Sequence, residues 1–168
     1  ENCPKHNFYA LANMTGSHDV ERLMTYMLRI SGENREKARS MISAYAAMMF
    51  TFPGVPVVYY GDETCLEGGT DPDNRRTYPW GNEDQELINF HREMIRIHKE
   101  SEAFRTGSLK ILGTKRDVLS YARFQGEDRY VVVVNNGDKE QEVTIPVWQA
   151  EVPEGGTMTQ IAYTDADG

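Results

Sequence analysis

The tripeptide Ser17-His18-Asp19 sets an imidazole beside a carboxylate, a pair able to hydrogen-bond and orient one substrate between them. Three consecutive residues cannot align hydroxyl, imidazole and carboxylate as a hydrolytic triad does, so Ser17 is not read as a nucleophile. A plainer use for Asp19 is to cap the helix that follows, a role aspartate favours. A second cluster runs from Gly68 to Arg76 and is followed by Tyr78 and Trp80. Aromatic faces to stack on and charged groups to bind hydroxyls are what a sugar site needs. Asp71 and Arg75 can equally pair with each other and hold the loop in shape; residue types alone leave the two uses level. Asp62-Glu63 is a third acidic feature, but consecutive side chains at a strand end point to opposite sides. His91 and His98 stand seven apart, whereas metal-ligating pairs on a helix usually stand at four, so both are read as structural.

These groups need elements to hold them. Phe8-Tyr9-Ala10-Leu11-Ala12 reads as a buried strand, and Val20 to Ile30 as a helix broken by Ser31-Gly32. Asn34 to Phe50 is the clearest helix, with Ala38, Met41, Ile42, Tyr45, Met48 and Met49 forming one apolar stripe that packs on a sheet. Phe52-Pro53-Gly54 stops it. Val55 to Tyr60 then reads as a second buried strand with Pro56 at its beginning. Ser17-His18-Asp19 and Gly61-Asp62-Glu63 thus fall just after strands, where parallel α/β architectures bind ligands. A polar loop, Cys65 to Gly81, leads to a helix over Glu83–Glu102, with Leu87, Ile88, His91, Met94, Ile95 and His98 along one side. From about Phe104 the period changes. Leu109–Leu112, Val118–Phe124, Tyr130–Val134, Glu142–Ile145 and Thr157–Tyr163 read as antiparallel strands, turned at Gly113, Gly126-Glu127-Asp128 and Asn136-Gly137-Asp138.

Three motifs, in this order and spacing, carry a family resemblance: Gly16-Ser17-His18-Asp19-Val20-Glu21-Arg22, then Phe52-Pro53-Gly54-Val55-Pro56-Val57-Val58-Tyr59-Tyr60-Gly61-Asp62-Glu63, then Gly68-Gly69-Thr70-Asp71-Pro72-Asp73-Asn74-Arg75-Arg76 with Pro79-Trp80. Together they resemble the α-amylase family of glycoside hydrolases, in the branch of neopullulanase, cyclomaltodextrinase and maltogenic amylase. The resemblance extends from about Phe8 to Val134.

It implies the last two βα units of a (β/α)8 barrel over residues 1–103, followed over 104–168 by an incomplete antiparallel C-terminal β-sandwich domain. It also implies roles. Asp19 matches the catalytic aspartate that grips the sugar being cleaved and steadies the transition state, and His18 the neighbour that hydrogen-bonds that sugar. Asp71 and Arg75 match residues holding the next sugar. Arg22, Asp62 and Glu63 match common positions and are given structural roles. A retaining glycosidase needs two carboxyl groups about 5–5.5 Å apart. In the family the nucleophilic aspartate and the acid/base glutamate belong to earlier barrel strands, and a barrel takes about 250 residues.

The chain is therefore expected to be a C-terminal fragment of a hydrolase for α-1,4, or for both α-1,4 and α-1,6, glucosidic bonds in maltooligosaccharides, cyclodextrins, pullulan or starch. Alone it is expected to be inactive, and to self-associate or dock onto the rest of the barrel. A glucanotransferase of the same family and a non-catalytic α-glucan-binding module are the alternatives.

Composition bounds the partners. The chain has 168 residues, 39% hydrophobic and 26% charged, with a net charge of −8. No basic cluster suits nucleic acid and no apolar run is long enough to span a membrane. Two cysteines, Cys3 and Cys65, form no zinc spacing and no disulfide framework, so reduced thiols, no metal and no cofactor are expected. With no leader visible at Glu1, the cytoplasm is favoured, subject to whatever precedes it in a longer protein.

Overall fold

Helix α3 (Arg35–Thr51) is set by local signals. The Asn34 side chain accepts a bond from the Lys37 amide at 3.0 Å, and the chain turns extended at Phe52, ahead of Pro53. Helix α2 (Leu23–Ser31) ends on Gly32 at φ 69°, a left-handed C-cap whose amide donates to the Leu28 carbonyl. Helix α4 (Gln85–Glu100) is capped by Asp84, and a five-residue helix, α5 (Glu102–Thr106), by Ser101. The single helix read over 83–102 thus divides at Ser101, whose hydroxyl accepts from the Phe104 amide. The computed structural model describes residues 4–164; Cys3 and the tail 165–168 lie outside the described residues.

One apolar cluster joins Leu23, Met24 and Met27 of α2 to Ala38 and Ile42 of α3, with Cys65 and Leu87. A second joins Ala46, Met49 and Phe50 of α3 to Met94, Ile97 and Phe104, with Tyr130 and Val132 against it. Each large side chain removed from water contributes about 1.5–3 kcal/mol. Because α3 contacts neighbours on two faces, its buried side is wider than one stripe. Ala46 and Phe50 turn inward, while Tyr45, read as core, is exposed, as is Ile95 of α4. Cys65 is a buried free thiol, and burial pushes its ionisation up to about 12, so it packs as an apolar group.

The strands depart furthest from expectation. The chain closes one helical turn, α1 (Lys5–Phe8), because the Pro4 carbonyl accepts from the Asn7 and Phe8 amides. Strand β1 is Ala12–Met14 rather than 8–12, and β2 is Val55–Val57 rather than 55–60. They pair in parallel, Ala12 opposite Val55 and Met14 opposite Val57, which puts Pro56 in the middle of β2. Neither is buried: Leu11, Met14, Val55 and Val57 are all exposed.

Beyond α5, strands β3 (Ser108–Lys115), β4 (Val118–Gln125) and β5 (Asp128–Asn135) form one antiparallel sheet in that order. Gly113 lies inside β3 beside a bulge, not in a turn. Segments 142–145 and 157–163 alternate as strands do, yet neither forms one among the described residues. Glu142–Ile145 instead crosses the sheet, where Lys115 bonds the Glu142 carbonyl and Ile145 covers Leu112, Ala122 and Ala150. Residues 157–163 are exposed throughout. Alternation makes a strand only where a ladder partner exists. The sheet is thus a single three-stranded layer here, not a two-layer sandwich.

Candidate functional site

His18 and Asp19 sit in the turn between β1 and α2. His18 Nε2 lies 3.2 Å from Asp19 Oδ1, and both side chains face solvent, 60% and 73% exposed. Asp19 does not cap the helix. Helix α2 begins at Leu23, and its N-cap position is Arg22, three residues beyond Asp19, with no side-chain cap. The Asp19 amide instead donates to Ser17 Oγ at 3.2 Å. The carboxylate is therefore free of any local hydrogen-bonding duty to the helix and is presented beside an imidazole.

The 68–76 loop packs directly against this turn. Asn74 is fully buried in a short 3-10 segment, Asp73–Arg75. Its side-chain amide donates to the carbonyls of His18 at 2.7 Å and Val20 at 2.8 Å. Arg22 Nε donates to the Asn74 carbonyl at 2.5 Å, and the Arg22 amide donates to the Gly68 carbonyl at 2.9 Å. Gly68 must be glycine at this crossing, because a Cβ would stand 2.6 Å from the Asp73 carbonyl oxygen and 2.9 Å from Asn74 Cα. Arg75 Nε meets Asp71 Oδ1 at 2.9 Å, with both side chains about half exposed. The pairing that would shape the loop is thus made, and it leaves the outer faces of both groups accessible. Asp73 pairs separately with Arg76 and accepts from the Gly69 amide, which holds its carboxyl below the usual range.

Beneath the turn lies a buried polar layer. The Arg22 guanidinium lies over the Tyr59 and Tyr60 rings, which meet edge to face, 4.3 Å from each centroid, and bonds the Tyr60 carbonyl. Asp62, almost fully buried, has both oxygens without a hydrogen-bond partner. Burial drives its ionisation up to about 7 despite the opposing pull of Arg22. Asp62 and Glu63 diverge, but in a 3-10 turn (Asp62–Thr64) and not at a strand end: Glu63 accepts from the Gly61 amide while Asp62 turns inward.

The remaining candidates separate clearly. His91 is buried and bonds the Leu87 carbonyl, and His98 bonds the Phe50 carbonyl; burial lowers the ionisation of both. They are helix-packing groups. No cluster of three metal-ligating side chains occurs among the described residues, and no helix there is long and apolar enough to cross a membrane. Trp80 is exposed and stacks at a tilt on Tyr78, 4.6 Å between centroids. A concavity of about 600 Å³ between α1 and the sheet, bordered by His6, Tyr9, Phe124 and Gln125, includes neither His18, Asp19, Asp71 nor Arg75. The candidate site is an open surface, not that hollow.

Asn74 is what the sequence concealed. An asparagine in a polar loop carries no signature until its acceptors are known, and they lie more than fifty positions away. Arg22 was recognisable by motif, but its service as the brace between turn and loop was not.

Residues 2–101 match the family described as the α-amylase catalytic domain. An amylopullulanase of Thermoanaerobacter thermohydrosulfuricus is 35% identical over 159 residues, covering 84% of this chain and 11% of that protein. Neopullulanase 2 of Thermoactinomyces vulgaris is 32% identical, covering 93% of this chain and 25% of its own length. Among solved structures, the native debranching enzyme of Nostoc punctiforme superposes with a TM-score of 0.75 at 32% identity, over 86% of this chain and 28% of that one. The chain therefore spans between a tenth and about a quarter of these relatives, and it belongs to the α-amylase family.

Proposed function

We propose that this chain supplies the last two βα units of a (β/α)8 barrel, within residues 1–103, and the opening sheet of the β domain behind it, within 104–168. The whole enzyme is a retaining glycoside hydrolase cleaving α-1,4, and in some substrates α-1,6, glucosidic bonds. Asp19 grips the hydroxyls of the sugar being cleaved and steadies the oxocarbenium-like transition state, and His18 hydrogen-bonds the same sugar. Asp71 and Arg75 hold the next sugar. The nucleophile and the acid/base come from the rest of the barrel, so the 168 residues do not turn over by themselves. Exposed apolar side chains on β1 and β2 support docking against the neighbouring barrel strands, or self-association without them.

One observation carries the reading: an uncapped, exposed Asp19 after a parallel strand, beside His18 and hydrogen-bonded through its own turn to the Asp71–Arg75 loop. The test uses maltotriose, cyclodextrin and pullulan. The complete enzyme should hydrolyse at least one of them, and Asp19→Asn should lower kcat on the order of 10²–10³-fold. The 168 residues alone should release no sugar. Turnover that co-purifies with them and vanishes in Asp19→Ala would overturn the division of labour.

A further inference from the structure

We propose that Asn74 is the positioning residue that locks the Asp71–Arg75 loop to the His18–Asp19 turn, making the two sugar-contacting elements one rigid body. The inference rests on the reading of Asp19 and Arg75 as substrate-binding groups.

The geometry is specific. Both amide hydrogens of Asn74 are used, and the two carbonyls they bond, those of His18 and Val20, belong to the residues on either side of Asp19. One hydrogen bond leaves a turn free to pivot about that bond; two bonds straddling a residue fix the direction in which its side chain leaves the backbone. Arg75 follows Asn74 directly, so the same anchor fixes its Cα. Two carbonyl acceptors also settle the orientation of the amide. A flipped group would set oxygen against oxygen, and Oδ1 as placed has no partner. The Arg22 bond to the Asn74 backbone carbonyl then prevents the anchor itself from sliding. Asn74 touches no substrate in this scheme and acts through Asp19 and Arg75.

Position matters because misplacement of about 1 Å from the chemistry can cost as much as 10²-fold in rate. The test is made in the complete enzyme, with every variant measured well below its own melting temperature. Asn74→Ala should lower kcat at least roughly tenfold, through Asp19, and raise KM several-fold, through Arg75. In an Arg75→Ala background the effect of Asn74→Ala on KM should shrink to less than about twofold, while its effect on kcat persists. A residue with only a structural role would lower the melting temperature and leave kcat and KM of the folded enzyme unchanged; that result would overturn the proposal. An equal KM penalty with and without Arg75 would overturn it too. Should Asn74→Ala fail to fold, Asn74→Ser, which keeps one donor, carries the same comparison with a smaller expected loss. Asp19→Ala is the control. If it leaves kcat intact, the reading of the site fails and the positioning role with it, an outcome distinct from loss of kcat in Asp19→Ala alongside an unaffected Asn74→Ala.

Discussion

The Arg22 guanidinium stands 3.8 Å from Asp62 Oδ1, both side chains are almost completely buried, and no hydrogen bond joins them. Arg22 Nε and Nη1 donate to the carbonyls of Asn74 and Tyr60, and Nη2 has no hydrogen-bond partner. Asp62 therefore bears the cost of desolvation with an unbonded cation at 3.8 Å offsetting only part of it, and its carboxyl is pushed up to about 7.

A pH dependence follows. The folded-state value lies above the unfolded value of 3.8. The contribution of Asp62 to stability is thus fully present below about pH 4 and is lost as pH rises through about 7. The loss is on the order of a few kcal/mol. Asp62→Asn removes the titration, so the difference in stability between variant and wild type should move in the variant's favour from pH 4 to pH 8. Urea unfolding across that range checks it, and parallel pH profiles would refute the assignment.

Tyr121 and Arg123 of β4 weld the sheet to the helices. Tyr121 Oη lies 2.6 Å from Thr51 Oγ1; that hydroxyl already gives its hydrogen to the Ala47 carbonyl, so Tyr121 is the donor. Burial pushes the Tyr121 phenol up to about 12. Arg123, fully buried, donates to the carbonyls of Thr51, Phe104 and Gly107, at the ends of α3 and α5. Arg123→Met should cost about 2 kcal/mol or more, since it takes this donor from the Thr51 and Phe104 carbonyls while Gly107 keeps the Tyr9 hydroxyl, and Tyr121→Phe about 1 kcal/mol. Thermal melting ranks the two, and an inverted order would contradict the scheme.

Asp84 does two jobs. It caps α4 through the Leu87 amide at 2.9 Å and takes Arg39 Nε at 2.6 Å. The Arg39 bond is the main reason its carboxyl is held below the usual range. The sign is opposite to that of Asp62: this stability is present above about pH 4 and lost as pH falls through the lower folded-state value. Asp84→Ala should cost about 1–2 kcal/mol at neutral pH, and less in acid. An acid-independent penalty in urea titrations would argue against it.

What the sequence disclosed, and what it hid, divides by the range of the interaction responsible. Helix α3 was legible to within a residue at either end, because Asn34, the spacing of Ala38 and Ile42, and Phe52-Pro53 act locally. Strands β1 and β2 were legible only as apolar runs. Which three residues of each form the ladder depends on the other strand, some forty positions away. Thr157–Tyr163 shows the converse, a strand pattern without a partner. The site splits likewise. His18, Asp19, Asp71 and Arg75 were marked as candidates by motifs that resemble the α-amylase family, since residue types alone left their uses open. Asn74, which joins them, was invisible because its role is defined by two carbonyls supplied by a distant turn.

Gly16 gives the most direct way to ask whether the buried layer supports the turn above it. The residue is buried, and a Cβ there would stand 2.3 Å from Asp62 Oδ2 and 3.2 Å from Cγ. Asp62 is a short side chain enclosed on all sides, so it cannot swing aside as the tip of a lysine would. Gly16→Ala must displace either Asp62 or the segment leading to Asp19. Overpacking of this kind costs about 1–3 kcal/mol. If the strain arises at Asp62, then Asp62→Ala should relieve it: in that background Gly16→Ala should cost less than half as much. If the segment moves instead, kcat of the complete enzyme should fall in Gly16→Ala and recover in the double variant, although Asp62 is buried beneath the turn. Equal penalties in both backgrounds would show that the contact between Gly16 and Asp62 does not brace the turn.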